Sequence, residues 1–174
     1  MRILAIDPSL RSTGLAGVGW SESVTTKGMT GHHRLAHIRT TVRMYAIGAD
    51  MAVVEGPAYG AKGRAVHQLA GLWWLLAHDL WRLNIPYAVV DPRTLKMYAT
   101  NNGNADKDAV AGGISGVHPT MKFATSDESD AYTLLTMAHH RYVGGMEMTC
   151  CGGTHQYPEH ARVGQCLDNV EWPD

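Results

Sequence analysis

Two short apolar runs each end in a carboxylate, and this pattern constrains the fold of the chain more than any other feature. MRILAID ends at Asp7, and MAVVEG carries Glu55 just before a Gly-Pro turn. Short and almost wholly apolar runs are typical of central strands that are covered on both faces. A carboxylate buried at the end of such a strand is costly unless a partner compensates its charge. The sequence therefore predicts a layered fold that gathers compensating groups at the strand ends.

The other segments predict a mixed sheet flanked by helices. Strands are expected where apolar runs are bounded by glycine or asparagine, and helices where apolar residues recur at helical spacing. The predicted strands are 1–7, 13–20, 21–28, 51–56 and 85–90, and the predicted helices are 30–48, 62–83, 91–99, one beginning within 101–114, and 126–142. This order of elements indicates a single α/β layer fold.

Length and composition favour one domain in a reducing compartment. The 174 residues, 45% of them hydrophobic, are enough for one substantial core and few for two. No apolar run approaches the roughly 18 residues of a membrane span, and no long apolar signal region begins the chain. The three cysteines all lie within the last 25 residues, so the main body cannot form an internal disulfide. We expect a soluble, cytoplasmic protein.

The periodic pattern ends near Gly144, which predicts a domain of residues 1–143 and a C-terminal extension of residues 144–174. Glycine, cysteine, histidine and proline dominate the extension, so we expect it to be irregular or loosely packed. Its Cys/His content also allows a zinc site, although adjacent cysteines are poor structural spacing for zinc.

Charge is distributed unevenly along the chain. Residues 1–125 carry 13 Lys and Arg against 8 Asp and Glu, whereas residues 126–174 carry 2 against 8. A moderately basic body is compatible with a polyanionic substrate.

A second acidic feature lies in SDESDAYTLL, where Asp127 and Asp130 are three residues apart and share one helix face. Together with Asp7 and Glu55 they could converge at the strand ends of an α/β sheet. Their mutual repulsion would favour divalent cations, and oxygen ligands suit magnesium or manganese. Taken singly, each acid has an ordinary interpretation, as a helix-start residue or a loop acid.

In four ordered blocks the chain resembles the RuvC-type Holliday-junction resolvases of the ribonuclease-H-like superfamily. The blocks are ILAIDPSLRSTG, VVEGPAYGAKG, VVDPRTLKMYATNNGNADKDAV and SDESDAYTLL, which span residues 1 to about 142. The resemblance implies a ribonuclease-H-like mixed five-stranded sheet. It also implies a homodimer that makes paired nicks in a four-way DNA junction with Mg²⁺, for which Mn²⁺ could substitute. The residues that match the family's four catalytic acids and two lysines are Asp7, Glu55, Asp127, Asp130, Lys96 and Lys107.

Further residues are candidates for DNA contact. Lys107 lies near the start of a helix, where an anionic phosphate is favoured, and we expect it to act in catalysis and DNA binding. Arg11, Lys62 and Arg64 could hold phosphates beside the acids. Tyr59 could stack on a base at the junction. Solvated surface cations and a packed loop tyrosine are the open alternatives.

The segment 65–81 has an apolar surface broader than one core stripe. In the resembled family the corresponding helix contributes to dimerisation, and Trp74 or Trp81 could serve that purpose. Burial of the whole helix within the domain is the alternative.

The function expected from these features is two-metal hydrolysis of branched DNA by a structure-selective endonuclease. A superfamily nuclease for flaps, forks or RNA-containing duplexes would use the same acids, and a non-catalytic junction-binding protein is a third possibility. An actin-like ATPase half would need a second domain for which the chain lacks the length. The sequence identifies no helicase partner.

Overall fold

The computed structural model describes residues 1–57, 63, 65–144, 147–150 and 153–174, with the backbone alone for 147–150 and 153–156. The strands and helices follow one another in this order: β1 (Ile3–Asp7), β2 (Ser12–Gly17), β3 (Trp20–Thr25), α1 (Gly31–Ala46), β4 (Met51–Glu55), α2 (Ala65–Arg82), β5 (Tyr87–Val90), α3 (Pro92–Thr100), α4 (Lys107–Val117), α5 (Ser126–Tyr142), β6 (Glu147–Cys150), β7 (Gly153–Gln156) and α6 (Val163–Asp168).

The first five strands form one mixed sheet in the order β3-β2-β1-β4-β5. The β1–β2 and β2–β3 pairs are antiparallel, whereas β4 lies parallel to β1 and to β5. The predicted mixed five-stranded sheet flanked by helices is confirmed. Since β1 and β4 are parallel neighbours, their carboxyl ends meet at the same edge of the sheet.

The two faces of the sheet carry separate cores, because successive residues of a strand point to opposite faces. In β1, Ile3 and Ala5 face α3, α4 and α5, whereas Leu4 and Ile6 face α1 and α2. In β4, Met51 and Val53 likewise face the α5 side. The same alternation places the last residue of each strand, Asp7 and Glu55, on the face that α5 covers.

Helix α5 lies against the sheet because β2 has a glycine where the helix begins. A Cβ atom on Gly14 would lie 1.9 Å from the carbonyl oxygen of Asp127, a distance that no packed structure allows. Gly14 is paired with Asp7 across the β1–β2 ladder. The absence of a side chain at Gly14 therefore brings the acidic start of α5 to the end of β1.

The C-terminal segment differs from the expectation of loose packing. Its residues Tyr157, Val163, Cys166 and Val170 are buried in the core on the α5 side of the sheet. His160 Nε2 lies 2.8 Å from the carbonyl oxygen of Tyr98. A few apolar residues are enough to pack this segment against the core. Their spacing follows neither a helical nor a strand period, so the sequence does not predict the packing. The division at residues 143 and 144 stays a prediction.

Within the described ranges, no helix is long and apolar enough to cross a membrane. The zinc alternative draws on Cys150, Cys151, His155, His160 and Cys166, and the side chains of the first three lie outside the described residues.

Candidate active site

The four predicted acids line one pocket at the carboxyl ends of β1 and β4. The pocket has a volume of about 410 Å³, and residues of α3, α4 and the β1–β2 loop also line it. Its charged lining residues are Asp7, Glu55, Asp127, Asp130, Lys96 and Lys107. The structure thus brings together the four acids and two lysines that the sequence places at one site.

Three acids at the start of α5 lie in two different environments. Asp127 and Asp130 line the pocket. Glu128 is buried away from it, where it accepts hydrogen bonds from Ser23 Oγ at 2.8 Å and from the Ala124 backbone N–H at 2.9 Å. Glu128 therefore attaches α5 to β3, and the i, i+3 pair remains available for chemistry.

Burial and mutual repulsion disfavour the charged forms of the pocket acids. Asp7 is only 6% exposed, and its pKa is raised well above the usual value, first by burial and then by the neighbouring Glu55. Burial also raises the pKa of Glu55. The pKa of Asp130 is raised to about 7 by burial and by the charge of Asp7. In the part of the chain that the structure describes, none of these three carboxylates has an ion-pair partner.

This donor set fits a divalent cation. All its ligating atoms are carboxylate oxygens, which magnesium and manganese prefer. Asp130 Oδ1 is buried with no hydrogen-bond partner, which leaves it free to coordinate. Among the described residues, however, no group of three or more Asp, Glu, His or Cys side chains is placed so that it could hold a metal ion without further movement. The acids are gathered, therefore, without being fixed in a finished coordination sphere.

Lys107 neutralises one acid of the pocket. Its Nζ lies 3.2 Å from Asp127 Oδ1 and 3.1 Å from Ser126 Oγ. Burial lowers the pKa of this lysine, but Asp127 together with Asp130 and Asp7 outweighs burial and leaves the pKa raised. Lys107 is the first residue of α4, so its charge and the helix N-terminus favour an anion at the same place.

The predicted DNA contacts are distributed differently. Lys96 lines the acidic pocket together with Lys107. Arg11 lines a separate cavity, which it forms with residues at the end of β3 and the start of α1. Tyr59, Lys62 and Arg64 lie outside the described residues.

Sequence reasoning missed the contribution of Trp73 to this site. Its indole N–H donates to the backbone carbonyl of Glu55 at 3.0 Å, and its side chain lines the pocket. The bond holds the end of β4 against α2. Trp73 belongs to the broad apolar surface of α2, so no separate sequence signal pointed to this role.

No family model matches the chain. RuvC, the crossover junction endodeoxyribonuclease of Rickettsia massiliae (strain Mtu5), is 28% identical over 148 residues, which cover 77% of this chain and 94% of the relative. Thermus thermophilus RuvC superposes with a TM-score of 0.67 at 19% identity, over 83% of this chain and 97% of that one.

This chain has the RuvC fold.

The predicted resemblance to RuvC-type proteins and the ribonuclease-H-like fold are thus confirmed. T. thermophilus RuvC in complex with a Holliday junction substrate also gives a TM-score of 0.67, at 21% identity, with coverage of 83% of this chain and 96% of that one. Both solved structures support the fold, and the curated relative shows that the likeness extends to the sequence.

Proposed function

We propose that the chain is a metal-dependent endonuclease that cleaves four-way DNA junctions. The observation that carries this proposal is the convergence of four carboxylates and two lysines at the carboxyl edge of the sheet, in a chain similar to RuvC. The relative from R. massiliae is a crossover junction endodeoxyribonuclease, and a T. thermophilus neighbour is bound to a Holliday junction.

In this proposal the acids hold divalent cations. Asp7 and Glu55 reach the pocket from adjacent strands, and Asp127 and Asp130 reach it from α5. Two such ions, when bound, would activate a water molecule and stabilise the leaving oxygen of a phosphodiester. Compensation of charge by cations would remove the repulsion that raises the pKa values of these acids in the protein alone.

The lysines position the substrate. Phosphate oxygens would accept hydrogen bonds from Lys107 Nζ, which the structure holds at the edge of the pocket beside Asp127. Lys96 is the second cation of the pocket. Both lysines would counter the negative charge that DNA brings to an acidic site, so substrate and metal could bind together.

Paired nicking requires two copies of the site, and α2 offers the surface for a homodimer. Trp74 and Trp81 are 68% and 67% exposed, which is unusual for such large apolar side chains. They line a largely apolar cavity of about 630 Å³ between α2 and the start of β5. Exposed aromatic side chains around an apolar depression are typical of interface anchors.

The test is a cleavage assay on labelled four-way junctions, flaps, forks, linear duplex and RNA–DNA hybrid, with Mg²⁺, Mn²⁺ or EDTA. We expect symmetric nicks in the four-way junction with either metal and none with EDTA. Junction binding without cleavage in any metal would show a non-catalytic binder, and cleavage of flaps, forks or hybrids alone would show a different nuclease.

Sedimentation velocity tests the dimer on the same preparation. The wild type should sediment as a dimer, and Trp81→Lys should shift it to monomer while thermal melting shows an intact fold. A wild-type monomer at micromolar concentration would contradict the proposed interface.

A further inference from the structure

A second charged cavity is lined in part by the same β1–β2 loop that lines the acidic pocket. Its volume is about 470 Å³, and it is bounded by the loop, the end of β3 and the first turn of α1. The lining residues are Arg11, Thr25, Thr26, Lys27, Gly28 and Arg34. Three of these six residues are cations and none is an acid, which is the reverse of the acidic pocket.

The cations of this cavity are unpaired. Neither Arg11, Lys27 nor Arg34 takes part in a salt bridge with any residue that the structure describes. A group of like charges that repel one another and lack counter-charges is expected where the partner is a ligand.

Arg34 supplies the strongest sign that this cavity accepts an anion. One of its terminal nitrogens donates to the Met29 carbonyl at 2.5 Å, which fixes the guanidinium beneath the β3–α1 connection. Its Nε is buried and has no hydrogen-bond partner among the described residues. A buried guanidinium N–H without an acceptor is costly, and an anion in the cavity would remove that cost.

Hydrogen bonds tie this cavity to the loop that carries the acidic pocket. Thr26 donates its backbone N–H to the Arg11 carbonyl at 3.0 Å and its hydroxyl to the Leu10 carbonyl at 2.6 Å. In the same loop, Ser9 lines the acidic pocket. Ser9 and Arg11 are two residues apart, so their Cα atoms are separated by at most about 7 Å. One polyanion lying across the loop could therefore enter both pockets.

We propose that this basic cavity binds a backbone phosphate of the DNA substrate, at a distance from the phosphate that is cleaved. The proposal rests on the proposed function, and it assigns Lys27 and Arg34 to substrate binding alongside Arg11. A phosphate held there would fix the register of the strand in the acidic pocket without reading its sequence. The cavity thus serves as an anchor, and the acids carry out the chemistry.

The test is the salt dependence of binding to a fluorescent four-way junction, measured by anisotropy with EDTA present so that no cleavage occurs. Each phosphate contact contributes a slope of about 0.9 in log K against log salt. We expect the Lys27→Gln/Arg34→Gln double variant to lower this slope by about 1 and to weaken binding about tenfold at moderate salt.

Arg34→Lys, which keeps the charge, should recover part of the lost affinity. The matched control for Arg34→Gln is Arg141→Gln, which removes one charge at the far end of α5, about 21 Å along the helix from Asp127. We expect the control to keep the wild-type slope. Thermal melting of each variant checks that the fold is intact.

An unchanged slope in the folded double variant, beside a wild type that binds and cuts junctions, would overturn the anchor and leave the proposed function in place. An equal loss in Arg141→Gln would also overturn it, since the effect would then be one of total charge. A wild type that neither binds nor cuts junctions would instead refute the proposed function.

Discussion

Buried aspartates occur in two settings in this molecule, and their pKa values are shifted in opposite directions. Asp79 on α2 is 3% exposed and receives two hydrogen bonds from Arg39 of α1, at 2.6 and 2.7 Å, and a third from Arg43 at 3.3 Å. The bonds from Arg39 lower the pKa of Asp79. Asp7 is buried almost as deeply, but it has acidic neighbours and no cation bonded to it, so its pKa is raised.

The difference separates a structural charge from a candidate functional one. Asp79 has its counter-charges within the fold and joins two helices. Asp7 and Glu55 lack them, and their burial is tolerable only because the proton or a cation can be taken from outside. Burial alone therefore does not indicate a site, whereas burial without a compensating partner does.

The largest effect is expected from Asp7→Asn, which removes the unpaired charge. Cleavage of a four-way junction should fall by at least about a thousandfold, because a ligand of the reactive centre is lost. The melting temperature should stay equal or rise, since burying the neutral amide relieves the repulsion from Glu55. Single-turnover cleavage and thermal melting measure the two effects. Cleavage at the wild-type rate would show that Asp7 is not part of the catalytic site.

A somewhat smaller loss is expected from Gly14→Ala, which disturbs the site without removing an acid. The added Cβ would collide with the Asp127 carbonyl and displace the start of α5. A shift of about 1 Å in catalytic groups can cost a hundredfold in rate, so cleavage should fall by about that factor. Gly71→Ala is the control, since a Cβ at this position in α2 meets no atom within 4 Å. Activity that survives in Gly14→Ala would mean that the acids tolerate movement of α5.

Asp79→Ala tests the other member of the comparison. Loss of the bonds to Arg39 should lower the free energy of unfolding by about 2 kcal/mol at pH 7, with cleavage retained below the melting temperature. Urea unfolding of the variant and the wild type measures this difference.

The effect of Asp79 should depend on pH in a defined direction. Because the folded-state pKa of Asp79 lies below its ordinary value of 3.8, the pair stabilises the fold fully above that value. The stabilisation is lost as the pH falls through the lower, folded-state pKa. The difference between wild type and Asp79→Ala should therefore shrink in strong acid. A difference that grows toward acid pH would contradict the assigned role.

The smallest effect is expected from Glu128→Gln, an acid that is buried but satisfied by neutral donors. We expect a loss of about 1 kcal/mol in stability and little change in cleavage, because the amide can keep part of the bonding to Ser23. Asp127→Asn, one residue away, should instead reduce cleavage strongly. Equal loss of cleavage in the two variants would contradict the distinction between Asp127 in the pocket and Glu128 in a structural role.

Much of this site could be predicted from the sequence, because its main signals are local. An apolar run that ends in an acid defines Asp7 and Glu55, and the helical spacing of Asp127 and Asp130 places them on one face. The structural role of Glu128 could not be predicted, since it depends on Ser23 of a strand more than a hundred residues away.

Other features depend on tertiary contacts that no local pattern reports. In the sequence Gly14 resembles any glycine near the start of a strand, and its role depends on the contact with α5. Arg11 was expected beside the acids, yet the β1–β2 loop directs it to the basic cavity. The packing of Tyr157 and Cys166 against the core was not foreseen, because isolated apolar residues in a glycine-rich segment carry no period.

The parallel pairing of β1 with β4 sets the distance between the two strand-end acids of the candidate site. Ile6 is opposite Val54 in this ladder, so Asp7 and Glu55 extend from neighbouring positions on strands about 4.8 Å apart. Backbone hydrogen bonds set that interval, and side-chain substitutions elsewhere in the core cannot stretch it. Asp127 and Asp130, by contrast, stand on a helix whose height above the sheet depends on side-chain packing. The spacing of Asp7 and Glu55 is therefore fixed by the sheet, and if the proposed cations bind, any adjustment to their radius would have to come from a movement of α5.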